Sequence, residues 1–107
     1  MNRETRFRFG SEDWRLFGNA LNEVINGFPV PDFEQTIGAD KAGLSTLLNY
    51  LHTLDHRNVL ELEVKDLRSV RNALRETIRK LGIEEFHTRT GYDFEKGKAI
   101  LVKLDGL

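Results

Sequence analysis

The most polar and aromatic stretch of the chain runs Glu85-Phe86-His87-Thr88-Arg89-Thr90-Gly91-Tyr92-Asp93. If a small-molecule site exists, it belongs here, where His87, Arg89, Tyr92 and Asp93 supply an imidazole, a guanidinium, a phenol and a carboxylate. His52 and His56 stand i, i+4 with Asp55 between them, a spacing that can clamp a metal ion. The sequence places no third ligand, so a solvated pair at a helix C-terminus is the preferred reading and no metal is expected. Arg68, Arg71, Arg75 and Arg79 fall on one flank of a helix, where a phosphate-rich partner could use them. Glu76 and Glu84 lie nearby in sequence, which favours a solvated face with local ion pairs. There is no nucleophile elbow, no phosphate-cradling glycine loop and no pair of acids fixed by a motif. Neither an enzymatic activity nor a cofactor is expected.

These groups sit in a chain that repeats itself. Sliding residues 7–54 onto 60–107 at a constant offset of 53, without a gap, leaves 13 of 48 positions identical. Many other pairs exchange one apolar residue for another, as in Trp14/Leu67, Phe17/Val70 and Leu47/Ile100. Such regularity means one supersecondary unit used twice. The polar identities are informative. Arg15, Asn19 and Glu23 are spaced i, i+4, i+8, roughly opposite the apolar stripe of their helix, and recur as Arg68, Asn72 and Glu76. Two readings are open. The ladders can be architectural, satisfying backbone groups of a neighbouring glycine link or pairing with Arg89. Alternatively, they form a partner-binding surface presented twice. The architectural reading is preferred, because duplicated polar groups most often serve duplicated structure.

The elements that must position these residues follow from periodicity. Phe7 and Phe9 alternate with Arg8, and Leu60, Leu62 and Val64 alternate with Glu61 and Glu63, which predicts a strand opening each copy. A helix follows, capped by Ser11 and closed by Gly27 in copy one, with Trp14, Phe17, Leu21, Val24, Ile25 and Phe28 on one face. Copy two carries Leu67, Val70, Leu74, Ile78 and Leu81 there, ending at Gly82. The links at residues 31–38 and 84–91 read as short helices ending at Gly38 and Gly91, although Phe86, Thr88 and Thr90 also alternate as a strand would. Asp40 and Asp93 cap a last helix in each copy. We therefore expect one α+β domain over residues 1–107, built from two β-α-(short α)-α units at about 7–54 and 60–107. A pseudo-two-fold axis would pair their strands into a two-stranded antiparallel sheet covered by helices. The free sheet edges, or a helix face, would offer a route to a homodimer.

The run of short helix, Gly-x-Asp and second helix, at 33–54 and 86–107, resembles a generic helix-turn-helix, with Val59–Val64 in the position of a wing. That resemblance implies DNA binding by the helices that start at Lys41 and Phe94. Few base-reading side chains stand there, and the net charge of −1 is a weak attractant for nucleic acid. With no cysteine, disulfides and thiolate metal sites are excluded. No run approaches a membrane span and no secretory signal is visible at the start, so a cytoplasmic location is expected. The leading functional expectation is a small non-enzymatic protein-interaction or regulatory module using Arg15, Asn19, Glu23, Arg68, Asn72 and Glu76. The helix-turn-helix DNA-binding reading is its alternative, and a ligand pocket near His87 the third.

Overall fold

The computed structural model describes residues 9–54 and 62–106. Helix α1 spans Ser11–Asn22, and its last turn widens into a π-turn at Glu23–Gly27. Helix α2 spans Phe33–Ile37, α3 Lys41–His52, α4 Val64–Thr90 and α5 Phe94–Asp105. Helix α4 is two helical limbs joined at Gly82, whose φ of 72° and ψ of −175° lie in a region essentially reserved for glycine. Adding 53 to the start of α1, the end of α2 and both bounds of α3 gives 64, 90, 94 and 105, the corresponding bounds of α4 and α5. The sequence repeat is thus a structural repeat of helices. The links are helical too: α2 in copy one and the second limb of α4 in copy two.

The expected sheet is not found among the described residues. No strand occurs among the described residues; Phe7, Arg8, Leu60 and Glu61 lie outside them. Val64, read as the end of a strand, is the first residue of α4 with Glu63 as its N-cap. The fold is all-α, and the α+β assignment, with its two-stranded sheet, is corrected accordingly. The reason is where the alternating residues go. Phe9, 2% exposed, meets the Phe17 ring of α1 edge to face at 5.0 Å, and Leu62 packs on the helical core. Alternation over two or three residues marks a lead-in that drops every other side chain onto helices as readily as it marks a strand. A homodimer by strand addition loses its basis among these residues. A smaller correction concerns the start of α1, where Gly10 holds the N-cap position without a side-chain bond and Ser11 is already helical.

The core is a single cluster drawn from both copies. Phe17, Ala20, Leu21 and Val24 of the first unit meet Leu67, Val70, Ala73 and Leu74 of α4, all fully buried. Ala20 and Ala73 are equivalent positions, and two small side chains there suit the close contact of α1 with α4. Outside this pair, α3 covers α1 and α5 covers α4.

Packing is tightest where α5 crosses the second limb of α4. A Cβ at Gly97 would stand 2.6 Å from Cζ of the fully buried Phe86, and Phe94 meets the same ring edge to face at 5.8 Å. Gly97→Ala is therefore expected to cost about 1–3 kcal/mol, the range for overpacking a core. Equilibrium urea denaturation reads it directly, and trimming the ring in Phe86→Leu, Gly97→Ala should recover part of the loss.

Candidate functional site

The repeated ladders are answered first by geometry. Asn19 Nδ2 donates to the carbonyl of Thr90 at 2.7 Å, and Asn72 Nδ2 donates to the carbonyl of Ile37 at 2.9 Å. Residues 37 and 90 are themselves equivalent, each preceding the glycine that ends its short helix. Gly38 and Gly91 have φ of 95° and 81°, so the chain turns away and these carbonyls have no next helical turn to donate to them. Each copy's asparagine fills the vacancy in the other copy, the reciprocity of an internal two-fold. Asn72 is held by Arg71 Nε and Arg75 Nη1, which donate to its Oδ1 at 3.2 and 3.4 Å.

The glutamates diverge. Glu23 is 7% exposed, and its Oε1 is met by Arg89 Nη2 at 2.6 Å. The same Nη2 donates to the Gly27 carbonyl at 3.1 Å, so one guanidinium group ties the π-turn to the second limb of α4. A Cβ at Gly27 would stand 2.7 Å from that nitrogen and closer still to the Glu23 carboxylate, so any other residue would push the pair aside. Thr36 holds the position equivalent to Arg89, and Glu76 pairs instead with Arg79 on its own helix at 3.1 Å. Arg15 and Arg68 are exposed.

The four ligand candidates separate. His87 and Asp93 stand 3.9 Å apart on a groove of about 610 Å³ between the second limb of α4 and the start of α5. Arg89 is not on it, being engaged with Glu23. Tyr92 leans toward α1, where burial raises its phenol above the usual 10.0 and the charge of Arg15 opposes the rise. The groove is completed by Ile83, Glu84, Thr88, Phe94 and Glu95. Ile83 is 68% exposed at its edge. The sequence reading missed these residues; the signal was Ile83, an apolar side chain beside the helix-breaking Gly82. Compared with known protein families, curated proteins and solved structures, the chain matches none of them.

The arginine row is largely spoken for. Arg71 lies 4.0 Å from Asp105, Arg75 is hydrogen-bonded to the same carboxylate, and Arg79 pairs with Glu76. His52 is exposed at the end of α3, while His56 and Asp55 lie outside the described residues. No group of three metal-ligating side chains occurs among the described residues, and none of their helices is long and apolar enough to cross a membrane.

One asymmetry was not anticipated. Asp13 Oδ1 in the first turn of α1 is 3.2 Å from Lys96 Nζ, and hydrogen bonding to Asp13 raises the Lys96 ammonium above the usual 10.5. The equivalent pair is Asp66 and Gly43. Asp66 has no ion pair or hydrogen bond among the described residues, and burial pushes its carboxyl above the ordinary 3.8, Lys65 opposing and Glu63 adding. An acid whose folded pKa is raised adds stability below its unfolded pKa and loses it as pH rises through the folded value. At pH 7 the Asp66 charge is thus a burden. Asp66→Asn is expected to raise the thermal midpoint at neutral pH, with the gain fading as pH falls toward about 4. Asp13→Asn leaves Lys96 with Glu12 alone, 3.7 Å away, and should lower the midpoint, at a cost of up to about 1 kcal/mol. Two unfolding curves per variant, at neutral and acid pH, check both signs.

Proposed function

We propose that this protein is a non-catalytic interaction module that seats a basic, apolar-anchored segment of another protein in the groove between the second limb of α4 and α5. The observation that carries this reading is the groove's composition. Its apolar surface is provided by Ile83 and Phe94, and its rim carries Glu84, Asp93 and Glu95 against the lone imidazole of His87. An apolar side chain set among basic residues complements both features. The equivalent positions in copy one include Lys41 in place of Phe94 and Ala42 in place of Glu95, so the groove's chemistry belongs to copy two. The ladders contribute support rather than contact surface, since Asn19, Asn72 and Glu23 spend their polar atoms inside the chain. Arg15 and Arg68 are exposed away from the groove.

The helix-turn-helix alternative finds less support. Glu95 and Asp93 stand at the start of α5, Lys96 is held by Glu12 and Asp13, and Lys98 lies 3.9 Å from Glu95. A phosphate backbone would meet carboxylates where it needs free cations. The test is to pan a displayed library of random dodecapeptides against the protein, with Ile83→Asp as the parallel target. Peptides rich in Lys and Arg around one large apolar residue, lost on Ile83→Asp, are the expected outcome. Peptides that bind both proteins equally would reject the groove.

A further inference from the structure

The internal repeat acts as its own comparison structure at Asp66. Over Asp13, copy two supplies two side chains: Lys96, whose ammonium pairs with the carboxylate, and Tyr92, whose phenol senses the charges of Arg15, Glu12 and Asp13. Over Asp66, the equivalent positions of copy one are Gly43 and Ala39. Removing a lysine and a tyrosine leaves space. A groove of about 330 Å³ runs over Asp66, bounded by Gly43, Leu47, Tyr50, Leu62 and Glu63. A smaller recess of about 170 Å³, touching Gly43 and Ala39, opens on the other side of the same carboxylate. Lys65 borders that recess, and its charge opposes the rise in the Asp66 carboxyl without forming an ion pair with it among the described residues.

We propose that the groove over Asp66 receives the side chain of a lysine from another protein, its ammonium paired with Asp66 as Lys96 is paired with Asp13. Leu47 and Leu62 flank the aliphatic stem, since a lysine buries its methylenes along apolar surface while its charge stays at the polar end. Glu63 adds a second negative charge at the mouth. The raised pKa fits a carboxylate that has no ion-pair partner among the described residues, the charge of Lys65 opposing the rise only in part. This surface is distinct from the groove beside Ile83, so either can fail without the other.

The experiment is a two-dimensional amide NMR titration at pH 7 with N-acetyl-lysine methylamide. Saturable shifts at Gly43, Thr46 and Asp66 are expected, weakened about tenfold or more by Asp66→Asn and by acetylating the probe's Nζ. Gly43→Lys fills the site from within. A Cβ there meets only Asp40 Oδ1, at 3.1 Å, the N-cap acceptor of the Gly43 N–H, so Gly43→Ala is the control that separates the cost of disturbing the cap from the effect of the ammonium. Against that control, Gly43→Lys is expected to raise the thermal midpoint, bring the Asp66 carboxyl down toward the ordinary range and abolish the probe's shifts. Shifts that survive Asp66→Asn, or a Gly43→Lys variant in which the Asp66 titration does not move, would overturn the proposal. So would butylammonium binding more tightly than the lysine derivative, which would point to a free amine.

Discussion

Arg89→Ala is expected to destabilise the protein by about 3 kcal/mol, because it leaves the Glu23 carboxylate buried without a counter-charge. Glu23 Oε1 is closed to solvent, and the Arg89 guanidinium is the charge that meets it. The same substitution removes the donor to the Gly27 carbonyl, so the π-turn loses its tie to α4. Deleting both charges should cost less than deleting one. Glu23→Met with Arg89→Ala is expected to recover a large part of the loss, since the desolvation penalty goes with the carboxylate. The repeat provides the control. Among the described residues Glu76 pairs only with Arg79, which is largely exposed, so Glu76→Ala should stay within about 0.5 kcal/mol of the parent. Chemical denaturation of the four proteins decides the matter, and equal losses for Arg89→Ala and Glu76→Ala would show that the cross-copy pair is no stronger than a surface contact.

The second large effect is expected at Asn19 and Asn72. Each alanine substitution should cost about 1–3 kcal/mol, the range for stranding a buried hydrogen-bonding group. The double variant is expected to lose the sum or more, a sizeable share of the roughly 5–15 kcal/mol that holds a small domain together. Neither side chain is replaceable by a longer amide without moving its helix, so Asn72→Gln should resemble Asn72→Ala. A double variant that melts within a degree or two of the parent would show that water serves the Thr90 and Ile37 carbonyls equally well.

Much of this was legible in the sequence, and for physical reasons. Helix positions came from apolar spacing, which both copies report independently: Phe17, Leu21 and Val24 in one, Val70, Leu74 and Ile78 in the other. Gly38 and Gly91 marked the ends of the short helices because a left-handed residue is needed there. The strands were misread because Phe9 and Leu62 have the same period whether they face a sheet or a helical core. At the site, sequence could say that the asparagines and Glu23 had a task in common with the glycine link. It could not say that each asparagine serves the opposite copy, since that depends on how the two units face each other. His87 and Asp93 do stand together, while Arg89 and Tyr92 turn to other partners. The empty place over Asp66 was readable in principle, by asking which charge in one copy faces a glycine where its twin faces a lysine.

The reciprocal bonds also bear on how the chain reaches this state. An all-helical protein of this size would ordinarily fold from local contacts, quickly and in any order. Here the ties that secure the short helices link residues 71, 35 and 62 positions apart. Neither half can complete its own short-helix end before the other has arrived. Loop closure must therefore precede the reward, and the chain should fold more slowly than its helix content suggests, with amide protons of both copies protected together.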